Sequence, residues 1–137
     1  MRTAIDTNVL SALWSGEPDA SDVARGLAAA RAEGGLVVSA PVYAELLAHP
    51  SATAGFVDRF LADTGIVVDF DLTEPIWRLV AEAFASYAER RRRGKETHPK
   101  RLLVDFVVGA HAALSADCLM TLDSRRYSQD FPELRLV

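Results

Sequence analysis

Four short apolar runs punctuate this chain: residues 2–5, 36–39 (Leu36-Val37-Val38-Ser39), 66–70 (Ile66-Val67-Val68-Asp69-Phe70) and 118–121 (Cys118-Leu119-Met120-Thr121). They are rich in branched residues and lack polar alternation, which marks strands covered on both faces. A fifth run, Leu134-Arg135-Leu136-Val137, alternates and reads as an edge strand. Between the runs lie helical patterns: Val9, Leu10, Leu13 and Trp14 share one face, 20–33 is Ala-rich and stops at Gly34-Gly35, and 42–49 is bracketed by Pro41 and Pro50. Phe56, Val57, Phe60 and Leu61 repeat the spacing up to Gly65, a long helix runs from Thr73-Glu74-Pro75 to Gly94, and a last one covers about 101–116. Strands that alternate with helices imply right-handed crossovers and a sheet flanked on both sides. The expected fold class is α/β, a three-layer αβα sandwich around a central, mainly parallel sheet of about five strands. With 137 residues, 50% of them hydrophobic, the chain suits one domain over 1–137. Residues 94–100 are expected to form an exposed, mobile loop between two helices.

Four acidic residues stand out against this frame. Asp6 and Asp123 lie just past strand ends, and in an open parallel sheet the functional crevice lies beyond the carboxyl ends of the strands. Glu45 comes six residues after Ser39, near the start of the following helix, which begins at that same edge. The helix feeding the 118–121 strand runs antiparallel to it, so Asp105, near its start, reaches the edge as well. Asp105 is flanked by Leu102, Leu103, Val104, Phe106, Val107 and Val108. A lone carboxylate in such surroundings needs a cation or strong donors. A salt bridge to Lys100 or Arg101, or the helix N-terminus, would also serve. Asp6-Thr7-Asn8 is equally a helix cap, Glu45 the polar side of a short helix, and Asp123-Ser124 a turn.

Carboxylates without nearby His or Cys ligands favour a hard ion, Mg²⁺ or Mn²⁺. Such an ion orients a phosphodiester and activates water, which is the chemistry of hydrolytic strand cleavage. His49, His98 and His111 lack ligand spacing, His111 is expected to be a satisfied core residue, and Cys118 reads as a small core residue. The formal net charge of −4 hides an uneven distribution: Arg90, Arg91, Arg92, Arg93, Lys95, Lys100 and Arg101 are seven of the fifteen Lys and Arg residues, and Arg125 and Arg126 flank Asp123. This patch suits phosphates or, equally, solvated helix ends. The apolar stretches are short of a membrane span, and Asp6 puts a charge where a signal peptide would be apolar, so a cytoplasmic location is expected.

Taken in order, Ile5-Asp6-Thr7-Asn8-Val9-Leu10, Ser39-Ala40-Pro41-Val42-Tyr43-Ala44-Glu45-Leu46, Asp105-Phe106-Val107-Val108-Gly109-Ala110-His111-Ala112 and Met120-Thr121-Leu122-Asp123, followed by Arg125, Arg126 and Tyr127, resemble a PIN-domain ribonuclease, specifically the VapC-type toxin of bacterial toxin–antitoxin pairs. The resemblance covers nearly the whole chain. It implies a single PIN-like nuclease domain with Asp6, Glu45, Asp105 and Asp123 as the catalytic, Mg²⁺-binding acids and Asn8 and Thr121 as supporting polar groups. It further implies an endoribonuclease acting on structured RNA such as tRNA or rRNA, which inhibits translation and growth, often as a homodimer, and is held inactive by a cognate antitoxin. The candidate RNA contacts are Arg91, Arg92, Lys95, Lys100, Arg101, Arg125 and Arg126.

Three other classes compete. A haloacid-dehalogenase-like phosphatase also starts from a strand-end Asp with Mg²⁺, but needs a second Asp where this chain has Asn8. A receiver-like domain needs a phosphoacceptor after the third strand, near Asp69 and Asp71. A non-catalytic RNA- or protein-binding module would use the basic 90–101 patch alone.

Overall fold

Each of the four apolar runs becomes a strand, and all four pair in parallel. The computed structural model describes residues 1–94 and 100–137. In chain order the elements are β1 (Thr3–Ile5), α1 (Thr7–Trp14), α2 (Ala20–Glu33), β2 (Leu36–Ser39), α3 (Ala40–Leu46), α4 (Ala54–Thr64), β3 (Ile66–Asp69), α5 (Glu74–Arg92), α6 (Leu103–Ser115), β4 (Cys118–Met120) and α7 (Ser124–Ser128). The strand order is β3-β2-β1-β4, which leaves β1 and β2 central. Register matters here: Ile5 lies beside Met120, and Ser39 beside Asp69. One step further along, Asp6 therefore stands next to Thr121 on one side and Ser39 on the other.

The helices sort to two faces because successive side chains of a strand point oppositely. Leu36 and Ile66 face α1, α2 and α4, where with Leu13, Leu27 and Phe60 they line an apolar cavity of about 580 Å³. On the other face lies α6, whose His111 Nε2 is 2.9 Å from Asp69 Oδ2. His111 is thus the satisfied core histidine its surroundings suggested. Val37, Val38, Val42, Val57, Phe106 and Leu119 are wholly buried, and each contributes roughly 1.5–3 kcal/mol relative to exposure.

Local chemistry sets the boundaries. The Thr53 side chain accepts from Phe56 N at 3.1 Å to start α4, and Gly65, with φ 72°, ends it in the left-handed conformation that glycine tolerates best. The helix expected over 42–49 spans Ala40–Leu46 instead. Pro50 disfavours helical backbone just before it, and Ser51 N donates to His49 Nδ1 to form a turn. The strand expected to reach Phe70 stops at Asp69, whose carboxylate accepts from Asp71 N and turns the chain. The fifth strand shrinks to a single parallel bridge, Leu119 with Leu136, because only the tail's last residues come alongside β4. Among the described residues the regular sheet has four strands. The loop expected at 94–100 lies largely outside the described residues.

The C-terminal segment is held by a buried ionic clasp. Asp130, its side chain fully enclosed, pairs with both Arg90 of α5 and Arg101 ahead of α6. Arg101 also lies over the Phe106 ring at 4.9 Å, and its backbone N donates to the hydroxyl of the buried Tyr87. The neighbouring Phe131 ring fills the space beside Gly109, where even one methyl group would collide with it. Asp130→Asn should cost on the order of 3 kcal/mol of unfolding free energy, because it strips the shared counter-charge from two largely enclosed cations. Urea unfolding measures this, and a midpoint equal to that of the parent chain would contradict it.

Candidate functional site

Asp6 follows β1 and caps α1: its Oδ1 accepts from Thr7 N at 2.8 Å. Asp6 is 4% exposed, so its carboxylate needs further donors. Two hydroxyls supply them, Thr121 Oγ1 and Tyr127 Oη, each donating to Asp6 Oδ2 at 2.9 Å. Burial raises the Asp6 pKa above its usual 3.8, although the Thr121, Tyr127 and Thr7 hydrogen bonds pull the other way. Burial, together with the charge of Asp6, also drives the Tyr127 hydroxyl far above its ordinary range, so it remains a donor.

Thr121 is the hub of a wider network. Its hydroxyl also accepts from Asn8 Nδ2 at 3.4 Å and from Asp123 N at 3.1 Å. Asn8 Oδ1 in turn accepts from Leu122 N at 3.1 Å. Asn8 and Thr121 together fasten the turn after β4 to the start of α1. Ser39 Oγ, buried at the same level of the sheet, has no hydrogen-bond partner among the described residues.

The other three acids surround this core. Glu45 is exposed on α3 and accepts from Thr7 Oγ1 at 2.7 Å, which ties it to the residue next to Asp6. Asp105 sits in the first turn of α6, where its Oδ2 accepts from Leu102 N at 3.3 Å. Its counter-charge is Arg126 Nη1, 3.4 Å from Oδ1, whereas Arg101, one of the alternative partners for it, faces Asp130. Asp123 caps α7 through its Oδ1, and its Oδ2 lies 3.4 Å from Arg126 Nε. Burial would lower the Arg126 pKa, but Asp105, Tyr127, Asp123 and Asp6 outweigh it and raise the value.

All four acids thus belong to one connected set at the carboxyl edge of the sheet. They do not close into a ready cage: among the described residues no three His, Cys, Asp or Glu side chains are gathered as a metal-holding group. What fits a metal is the chemistry of the set. Its ligating atoms are all oxygens, as Mg²⁺ and Mn²⁺ prefer, and a guanidinium already supplies positive charge between two of the carboxylates. Sequence reasoning gave no role to Tyr127, whose burial demands a partner for its hydroxyl. It also placed Arg126 with the RNA contacts and did not foresee its carboxylate partners.

The remaining basic candidates scatter. Arg92 Nη2 pairs with Glu89 at 2.7 Å, Arg91 lies 5.9 Å from the Tyr87 ring, and Arg101 belongs to the Asp130 clasp. Lys100 and Arg125 are exposed, and Lys95 is outside the described residues. No described helix is long and apolar enough to cross a membrane.

The raised Asp6 pKa has a definite sign. Ionising Asp6 costs the fold free energy, so its contribution is fully present below pH 3.8 and is lost as pH rises through the folded-state value. With chelator present, the stability difference between Asp6→Asn and the parent chain should move in favour of the variant from pH 3.8 upward and then level off. Thermal unfolding across that window is the measurement, and a difference independent of pH would refute the assignment.

Known proteins resemble the chain over its whole length. The pattern of the PIN domain matches residues 3–132. The crystal structure of VapBC2 from Rickettsia felis, bound to a DNA fragment from the promoter, aligns at 21% identity over 100% of this chain and 98% of that chain, with a TM-score of 0.70. VapBC-1 from nontypeable Haemophilus influenzae aligns at 22% identity over 100% of this chain and 97% of that chain, with a TM-score of 0.67. At such identities the likeness is one of fold. No curated protein sequence matches.

Proposed function

Because this chain belongs to the PIN domain family, we propose that it is a divalent-metal-dependent endoribonuclease, the VapC-type toxin of a toxin–antitoxin pair, with Asp6, Glu45, Asp105 and Asp123 as its catalytic acids. The observation that carries this reading is the convergence of the four acids at one sheet edge, linked through Thr7, Thr121 and Arg126.

Mg²⁺ or Mn²⁺ held by these carboxylates supplies Lewis acidity and an activated water for phosphodiester hydrolysis. The chain's own residues prepare the place. Thr121 and Tyr127 fix one oxygen of Asp6 and the Thr7 amide fixes the other, so this carboxylate enters the reaction in a set orientation. Pre-organisation of that kind avoids reordering when substrate arrives. Asn8 and Thr121 keep Asp123 at the level of Asp6 by holding the Leu122 and Asp123 amides. Arg125, exposed on α7, would meet RNA backbone phosphate, with the exposed Arg91, Arg92 and Lys100 as further phosphate contacts. RNA shape and splayed bases would supply specificity.

An antitoxin partner fits the same reading. The structural neighbours carry VapBC designations, and the apolar cavity beside α1, α2 and α4 offers a surface for an apolar segment. A homodimer is expected from the family. The haloacid-dehalogenase alternative gains nothing, because Asn8 spends its side chain on Leu122 N and Thr121. A receiver-like phosphoacceptor is disfavoured by the hydrogen bond that commits Asp69 to His111.

Purified protein should cut RNA from a tRNA and rRNA pool with Mn²⁺ or Mg²⁺ and lose that activity with chelator, with Asp6→Asn and with Asp105→Asn, both variants remaining folded by circular dichroism. Single-stranded DNA serves as the comparison substrate. Equal cleavage by both variants would end the assignment of these acids.

A further inference from the structure

The reading of the acids as a metal site has a consequence for Arg126, and the following rests on that reading. All four oxygens of Asp105 and Asp123 are engaged. Asp105 Oδ2 accepts from Leu102 N and Asp123 Oδ1 from Arg126 N, while Asp105 Oδ1 and Asp123 Oδ2 face the Arg126 guanidinium. The last two oxygens carry no backbone amide, and they are the pair that a cation shared by these acids would reach by displacing the guanidinium. The guanidinium and the metal therefore compete for the same atoms.

We propose that Arg126 is a built-in competitor for the catalytic cation: its guanidinium bridges Asp105 and Asp123, a divalent ion must displace it, and the displaced side chain turns outward to meet substrate phosphate. The geometry suits displacement. Both contacts are 3.4 Å, longer than a tight ion pair, and the Arg126 side chain is 40% exposed. Such a pairing is weak and screened by solvent, whereas a divalent ion brings twice the charge at shorter range. Arg126 also projects from a helix of only five residues at the rim of the site, so rotation about its own side-chain bonds carries the guanidinium toward solvent without moving the backbone. Planar and permanently charged, the released group matches phosphate oxygens bidentately.

Metal affinity then becomes a property that Arg126 holds down. Removing the guanidinium frees both oxygens and deletes a positive charge beside the ion. The neighbouring Arg125 carries the same charge but has no described pairing with the acids, so it separates local competition from general electrostatics.

Mn²⁺ binding without RNA, followed by the loss of the free-ion electron paramagnetic resonance signal, tests this on the full chain. Arg126→Gln should bind Mn²⁺ several-fold tighter than the parent, Arg125→Gln should lie much closer to the parent, and Asp105→Asn should bind weakly. With RNA at saturating Mn²⁺, Arg126→Gln should show a raised KM. Equal Mn²⁺ affinity in Arg126→Gln and the parent, or an equal gain in Arg125→Gln, overturns the proposal while Asp105-dependent binding keeps the metal site. Absence of Mn²⁺ binding in both the parent and Arg126→Gln overturns the proposal and the metal site together. Arg126→Lys, which keeps the charge but loses the planar fork, should fall between and covers the case in which the glutamine variant misfolds.

Discussion

The carboxylate of Asp6, held almost out of water at the end of a central strand, is the group on which the rest of the arrangement turns. Burial pushes it toward the neutral acid, and the neighbours that donate to it pull the other way. Those neighbours come from far along the chain. Thr121 is available because β4 pairs beside β1 in register, and Tyr127 because α7 starts three residues after Thr121 and folds back over the strand end. The C-terminal segment must therefore stay docked. The Asp130 clasp and the Leu119–Leu136 bridge secure it, and the arrangement of the site depends on contacts that take no part in its chemistry.

Much of this was legible in the sequence because burial leaves a plain mark. Strands covered on both faces show no polar alternation, which is why 36–39 and 118–121 stood out, and a carboxylate among Leu, Val and Phe singled out Asp105. Strand-end positions pointed to Asp6 and Asp123. What the sequence hid were partnerships between distant residues. Beside a metal, Lys100 or Arg101 was the alternative cation for Asp105, yet Arg101 turns to Asp130 and the charge comes from Arg126, twenty-one positions away. Chain proximity says little about which side of a helix start a long side chain will take. Helix α7 was invisible for another reason: five residues are too few to display a period.

The basic stretch shows the same limit from the side of charge. A run of arginines looks like one surface feature, but its members face different ways once α5 is wound. Arg90 turns inward to Asp130, Arg92 lies along the helix against Glu89, and Arg91 lies over the face of Tyr87. Local density of charge is therefore a poor measure of a binding surface. Exposure and pairing decide how much of it remains for a phosphate.

Two arginine–aspartate arrangements meet in the C-terminal segment, and they differ in the property that matters. At Asp130 the carboxylate is fully enclosed and Arg101 is 12% exposed, so water and salt scarcely reach the pair and separating it would strand a buried charge. At Asp105 and Asp123 the guanidinium is 40% exposed and its contacts are long, so solvent or another cation can replace it at little cost. The same two residue types thus fasten the segment at one end and leave it electrically adjustable at the other. The proposed metal site draws on both, because acids that are to share a cation would have to be held close together, while the charge that steadies them beforehand would have to be able to leave.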